Sequence, residues 1–253
     1  MKYVQIKHAS VSISGAEACS VLAKLVALCP PTDRPIEPLI LTDIELSKDT
    51  NGLNLRWNIA DQKSLEFHLD FVKSVKQIRS FPAPKQGAFN QALGKKSVSI
   101  IDATGGWAGD AMLMCLQGYR VTVIERLPLM AALIEEAFLR LAKSEYAANN
   151  PICIPTVVWG NAADHLDDLK GEADCVYLDP MFPPKRKKKA ASNKQMQLLR
   201  WLAGADSDAA ELAVLAKQHF PRLAVKRPDY AEPLIGKPTI QFSSKLVHYD
   251  VYL

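Results

Sequence analysis

From residue 97 onward, short β-rich runs alternate with segments of helical periodicity, and few folds accept such a chain. Ser97 to Ala103 carries Val98, Ile100 and Ile101. Asp110 to Gln117 reads as a helix ended by Gly118, and Val121 to Ile124 as a second strand. Leu129 to Tyr146 sets Leu129, Leu133, Ala137, Phe138 and Leu141 on one helical face. Ile152 to Val158 and Cys175 to Leu178 supply two further strands, Asp206 to His219 another helix, and Leu223 to Val225 a fifth strand. Strands separated by helix-length connections pair in parallel, with helices covering both faces of the sheet. The tail breaks that rule: Ile240 and Phe242, then Val247, Tyr249, Val251 and Leu253, alternate on either side of Ser243-Ser244, which predicts an antiparallel hairpin. The expected fold is α/β, a Rossmann-like doubly wound sheet closed by a C-terminal antiparallel hairpin.

Residues 1–80 read differently, as a small N-terminal α/β subdomain preceding a main domain at 81–253. Val4 to Ile6 predicts a strand. Ala16 to Leu28 predicts a helix with Ala18, Leu22, Leu25 and Val26 on one face, stopped by Pro30-Pro31. Asn51-Gly52 introduces Leu53 to Trp57, whose alternation repeats in Leu65 to Leu69, as in a strand pair on a half-buried sheet. The stretch from Arg79 to Gly87, with Pro82 and Pro84, interrupts regular structure and is the expected boundary.

A hydrophobic content of 48% with 23% charged residues in 253 positions suits a globular protein with a sizeable core. No run approaches the roughly 18 apolar residues of a membrane span, and the start at Met1-Lys2-Tyr3 lacks the pattern of a cleaved leader. The expectation is a cytoplasmic monomer with no membrane association. Five cysteines, odd in number and without C-x-x-C spacing, argue against a disulfide framework or a zinc site and for buried core positions. The net charge of +4 says little by itself. Lys185, Arg186, Lys187, Lys188 and Lys189 nevertheless concentrate positive charge in one place.

In open α/β sheets, ligands bind beyond the carboxyl ends of the strands where the strand order reverses. Here those ends carry Asp102 to Asp110, Glu125-Arg126, Asn161-Ala162 and Asp179. The loop Gly105-Gly106-Trp107-Ala108-Gly109 allows close backbone approach. It lacks the G-x-G-x-x-G spacing that seats a pyrophosphate on a helix N-terminus, which disfavours a nicotinamide-dependent oxidoreductase without excluding one. S-adenosylmethionine has no phosphate and needs backbone access plus carboxylates for its amino group and ribose. Glu125, 23 residues after Asp102, stands where an acid would accept bonds from ribose hydroxyls.

The fourth strand ends in Asp179-Pro180-Met181-Phe182-Pro183-Pro184. An acid, a proline and then an aromatic resemble the [D/N]-P-P-[Y/F] motif of methyltransferases acting on exocyclic amino nitrogens. Such a nitrogen is a poor nucleophile because its lone pair is delocalised into the ring. It must be held by strong acceptors and aimed. Asp179 and the Pro180 carbonyl can accept its N–H bonds, and Phe182 can stack on the base. The basic run beside this loop is placed to contact phosphates. Lys226, Arg227 and Tyr230, at the end of the fifth strand, are either further substrate contacts or part of a turn opened by Pro228-Asp229. Adenine N6, cytosine N4 and guanine N2 are all chemically open targets for the loop, and a catalytically silent RNA-binding protein is the remaining alternative.

Asp102-Ala103-Thr104, Glu125-Arg126, Tyr177 to Pro183 and Val225 to Tyr230 together resemble the ribosomal RNA small subunit methyltransferase J family over residues 79–253. That resemblance implies a class I methyltransferase sheet and transfer from S-adenosylmethionine to N2 of a guanine in 16S ribosomal RNA, either free or within the 30S subunit. It implies donor contacts at Gly109, Asp110, Glu125, Arg126, Asn161, Ala162 and Asp179, no metal, and substrate contacts that include Arg79. The sequence departs from the family pattern where Ala108 replaces a glycine, Gly109 an arginine, and Asn161-Ala162 a pair of serines. The glycine string usual near Arg79 is missing, and the lysine run is denser.

Overall fold

The computed structural model describes residues 2–6, 9–14, 19–29, 43–59, 62–76, 78, 80–183, 193–204 and 206–253. Two sheets organise them. The first takes β1 (Lys2–Ile6), β2 (Ala9–Ile13), β3 (Ile44–Asp49), β4 (Gly52–Trp57) and β5 (Leu65–His68) in that spatial order, with α1 (Ser20–Leu28) between β2 and β3. Only β2 and β3 pair in parallel. The sequence reading found β1, α1 and the β4–β5 pair but neither β2 nor β3. Ala16 to Ala18, assigned there to the helix, lie outside the described residues. The β3–β4 turn is closed by Asp49, whose Oδ1 accepts from the Asn51 and Gly52 amides at 2.7 and 3.1 Å. Gly52 has φ +130°, a conformation that favours glycine, and a Cβ there would also push the Arg140 guanidinium from its place.

After α2 (Phe71–Val75) and α3 (Gly87–Leu93) the second sheet begins. It contains β6 (Ser99–Asp102), β7 (Arg120–Glu125), β8 (Thr156–Trp159), β9 (Cys175–Leu178), β10 (Leu223–Pro228), β11 (Ile240–Ser243) and β12 (Val247–Tyr252). Its order is β11-β12-β10-β9-β6-β7-β8. The five strands from β10 to β8 are parallel, and β12 and β11 close the edge antiparallel. This is the doubly wound sheet with a terminal hairpin that the alternation predicted. The chain builds outward from β6 to β7 and β8, then returns to place β9 on the other side of β6. The order therefore reverses beside β6, and the carboxyl ends of β6 and β9 flank the crevice.

The helices of the second sheet are α4 (Gly109–Leu116), α5 (Pro128–Ala142), α6 (Glu145–Asn149), α7 (Ala162–His165), α8 (Lys194–Ala203) and α9 (Ala209–His219). The predicted helix from Leu129 to Tyr146 is interrupted. Ser144 caps a new turn, its Oγ accepting from the Ala147 amide at 3.3 Å. Helix α5 is buried almost all round, from Leu129 to Leu141, and a helix without a polar face must lie between layers. It packs on α1, α2 and β4 on one side and on β7 and β8 on the other. Leu127, Leu129, Met130 and Leu133 thus share one core with Leu22, Leu25, Leu55 and Phe67 of the first sheet. Glu136 pins this joint: Lys48, Arg140 and the Leu53 amide all donate to its carboxylate. Of the five cysteines, Cys19, Cys29, Cys115 and Cys175 are buried as expected, but Cys153 is exposed.

Candidate active site

At the carboxyl ends of β6, β7, β8 and β9 lies a cleft of about 460 Å³, within the range of small-ligand sites. Asp102, at the end of β6, is 2% exposed and accepts from the Thr104 amide at 3.1 Å. Burial pushes its carboxyl up to about 8, against the pull of that amide, and the nearby Asp110 and Asp179 add to the rise. Glu125, at the end of β7, is 6% exposed and bridges two backbone amides: Gly106 donates to Oε2 and Leu127 to Oε1, both at 2.7 Å. Burial again dominates, raising its carboxyl to about 7 despite those two bonds. The glycine loop therefore hangs on Glu125. Its next residues close the turn, with the Gly105 amide on the Ile124 carbonyl and the Ala108 amide on the Gly105 carbonyl.

The family departures acquire physical reasons here. Ala108 sits at φ +52°, ψ +27°, the left-handed region that glycine enters freely and an alanine enters at a cost of roughly 1–2 kcal/mol. At Gly109 a Cβ would meet nothing within 4 Å, so the side chain missing there leaves open space. Asn161 caps α7, its Oδ1 accepting from the Ala163 amide at 3.2 Å, and Ala162 is buried behind it. Asparagine does the capping work of a serine.

Across the crevice, Asp179 follows β9 with its amide donating to Thr104 Oγ1 at 2.7 Å and its side chain 40% exposed to the cleft. Open on that side, it is walled by protein on the others. Desolvation raises its pKa, Lys226 opposes the rise, and Asp110 adds to it. Lys226 reaches both acids, 2.9 Å to Asp179 and 2.7 Å to Asp110, while the Tyr177 hydroxyl donates to Asp110 at 2.5 Å. Burial alone would depress the ammonium, but the two carboxylates win and hold its pKa above the ordinary lysine value. Pro180 is buried, and Met181 and Phe182 are half-buried in the cleft wall. Asp206 accepts from the Met181 amide at 2.7 Å and pairs with Arg126, which Asp208 also holds at 3.0 Å. Tyr230, 40% exposed, donates to the Pro183 carbonyl at 3.0 Å.

Two cations named at the end of the fifth strand are met by acids of the protein itself. Lys226 does not stand free at a rim; its ammonium is committed to Asp110 and Asp179. Arg227 points to the opposite face of the strand, as the two-residue period demands. There it is 6% exposed and is held by Asp250 at 2.5 Å and by the Ala231 carbonyl. Arg79 and Lys185 to Lys189 lie outside the described residues. Thr104 and Tyr177 were quoted in the sequence motifs without a role of their own, and Asp206 only as the start of a helix, while Asp208 was not singled out; the structure gives each a partner in the cleft.

Residues 40–253 match the family described as "Putative SAM-dependent methyltransferase". A ribosomal RNA small subunit methyltransferase J of Shewanella sediminis is 37% identical over 216 residues, 83% of each chain. The protein of the same name in Alteromonas mediterranea is 36% identical over 212 residues, 80% of each. Among solved structures, a SAM-dependent methyltransferase of Neisseria gonorrhoeae superposes with a TM-score of 0.68 at 24% identity, covering 96% of this chain and 95% of the other, and so speaks for the fold. With a parallel sheet reversing at β6, a carboxylate under the glycine loop, an Asp-Pro-Met-Phe loop facing it, and relatives this similar over this much of their length, the chain belongs to the S-adenosylmethionine-dependent ribosomal RNA small subunit methyltransferase J family.

Proposed function

We propose that this chain transfers a methyl group from S-adenosylmethionine to the exocyclic N2 of a guanine in small-subunit ribosomal RNA, acting in the cytoplasm as a monomer. The observation that carries the reading is Asp179: a reachable carboxylate at the switch point, beside Phe182 and in the same cleft as Glu125. The cleft suits the donor. Among the described residues six acids, Asp102, Asp110, Glu125, Asp179, Asp206 and Asp208, line it against four cations, an acidic excess that favours a sulfonium and an ammonium over a pyrophosphate. Each Glu125 oxygen, though bonded to one amide, keeps a lone pair for a ribose hydroxyl. Further donor contacts are assigned to Asp102, Gly109, Asp110, Arg126, Asn161, Ala162 and Asp179.

When bound, S-adenosylmethionine supplies an electrophilic methyl group. Asp179 and the Pro180 carbonyl accept the amine N–H bonds and orient its lone pair, and Phe182 stacks on the base. As nitrogen gains the methyl group it sheds one proton, for which the raised pKa of Asp179 makes its carboxylate a suitable acceptor. Arg79, Lys185 to Lys189 and Tyr230 are assigned to the RNA, the cations to phosphates. Guanine N2 is preferred to adenine N6 or cytosine N4 on the family resemblance of the motifs. The test is transfer of a labelled methyl group to 16S RNA and to 30S subunits from cells lacking the protein, followed by mapping of the nucleotide. Binding of NADH with no affinity for S-adenosylhomocysteine would overturn the reading.

The raised acids set a pH dependence. In the free protein Asp102 and Glu125 stay partly protonated up to pH 7–8, and a cationic donor favours their ionised forms. Binding therefore releases protons below about pH 8, and affinity rises as pH climbs from 6 through that window. Titration calorimetry with S-adenosylmethionine in two buffers of different ionisation enthalpy reads the released protons directly. Proton uptake instead would contradict the assignment.

A further inference from the structure

Among the described residues, four cations line the cleft: Arg126, Arg200, Lys226 and Arg227. Three are committed, Arg126 to Asp206 and Asp208, Lys226 to Asp110 and Asp179, and Arg227 to Asp250. The Arg200 guanidinium has no hydrogen-bond or ion-pair partner among the described residues. It stands on α8, whose residues Met196, Leu199, Arg200 and Ala203 recur at helical spacing and turn one face to the cleft. The opposite face, Leu198 and Leu202, is buried in the core shared with the first sheet, so the helix is anchored rather than loose.

The cleft face of α8 rests on the glycine loop. Trp107 Nε1 donates to the Gln195 carbonyl at 3.2 Å, and a Cβ on Gly106 would lie 3.5 Å from Leu199 Cδ2. An unpaired guanidinium in a partly desolvated, acid-rich cavity implies an incoming oxyanion, because leaving it alone forgoes charge-assisted hydrogen bonds. The methyl donor carries one such group, the α-carboxylate of its methionine end. Asp110, Asp179, Asp206 and Asp208 already hold the other cations, and Asp102 and Glu125 would repel a carboxylate, so it needs a cation that is free.

We infer that Arg200 is the carboxylate-binding residue of the donor site, clamping the methionine end from α8 across the glycine loop, where Gly109 itself presents no side chain and leaves open space. This rests on the methyl-transfer reading. The full-length chain is titrated with S-adenosylhomocysteine and with 5′-methylthioadenosine, which keeps the nucleoside but lacks the amino-acid end. Arg200→Met should weaken S-adenosylhomocysteine by about tenfold to a hundredfold and change 5′-methylthioadenosine by no more than about twofold, with Arg200→Lys in between. Thermal melting of each variant checks folding. Equal losses on both ligands, or a loss on neither, would overturn the inference. So would unchanged S-adenosylhomocysteine affinity with weakened binding of 16S RNA, which assigns Arg200 to a substrate phosphate. If the unaltered chain binds neither nucleoside, the methyl-transfer reading fails first and this inference with it.

Discussion

Replacing Asp179 by alanine should lower the rate of methyl transfer by about a thousandfold, the scale seen when a positioned polar group is removed from a transition state. The amine would lose its charged acceptor while the Pro180 carbonyl, Phe182 and the donor contacts remain. The fold should survive, because Lys226 keeps Asp110 at 2.7 Å. Removing one charge from a cluster whose members raise one another's pKa also relieves repulsion. The melting temperature at pH 8 should accordingly stay within a few degrees of the parent, or rise. Asp179→Asn keeps shape and one acceptor while losing the charge, and should fall between parent and alanine. Single-turnover transfer of labelled methyl to RNA makes the comparison, and near-parental turnover in the alanine variant would remove Asp179 from the chemistry.

The largest structural effect is expected at Glu136, far from the cleft. It is 4% exposed and accepts from Lys48, from Arg140 Nε at 2.9 Å and from the Leu53 amide at 3.3 Å. Burial alone would raise its pKa, but Lys48 and Arg140 outweigh burial and hold it below the ordinary value. Glu136→Ala leaves Lys48 without its carboxylate and Arg140 with only Asp70 and the Leu69 carbonyl; with both cations partly exposed, the loss should be about 2–3 kcal/mol, below that of a fully buried pair. Urea unfolding at pH 7 would register this as a lower midpoint. The depressed pKa also makes this contribution full above the unfolded value near 4.5 and lost as pH falls through the folded value. A change under about 1 kcal/mol would mean that the joint is held by its apolar contacts alone.

The parts of the fold that show in the sequence are those whose signal is local. Short continuous apolar runs in β6, β7 and β9 and the alternating run in β12 mark strands, and the strand ends at Asp102, Glu125 and Asp179 follow from where those runs stop. Pairing between distant residues leaves no such mark. Nothing in Val225 to Tyr230 says that Lys226 folds back to Asp110, 116 positions earlier. The two-residue period does say that Lys226 and Arg227 alternate across the strand, but not that an acid distant in sequence meets each of them. Helix α8 was lost for another reason. It follows the lysine run, and Lys194-Gln195, Gln197 and Arg200 make it look polar, although Leu198 and Leu202 carry its buried stripe. The strand β2 alternates Ala9, Val11 and Ile13 with serines that are themselves buried, a weak pattern in a short run.

Asp206 belongs to neither wall of the cleft alone. One of its oxygens holds the Arg126 guanidinium, next to Glu125, and the other the Met181 amide, in the loop that follows Asp179. Under the proposed assignment, variants of Glu125 or Phe182 should separate donor affinity from turnover, whereas a variant at this position frees the Met181 amide and leaves Arg126 to Asp208 alone, so that both quantities should move together.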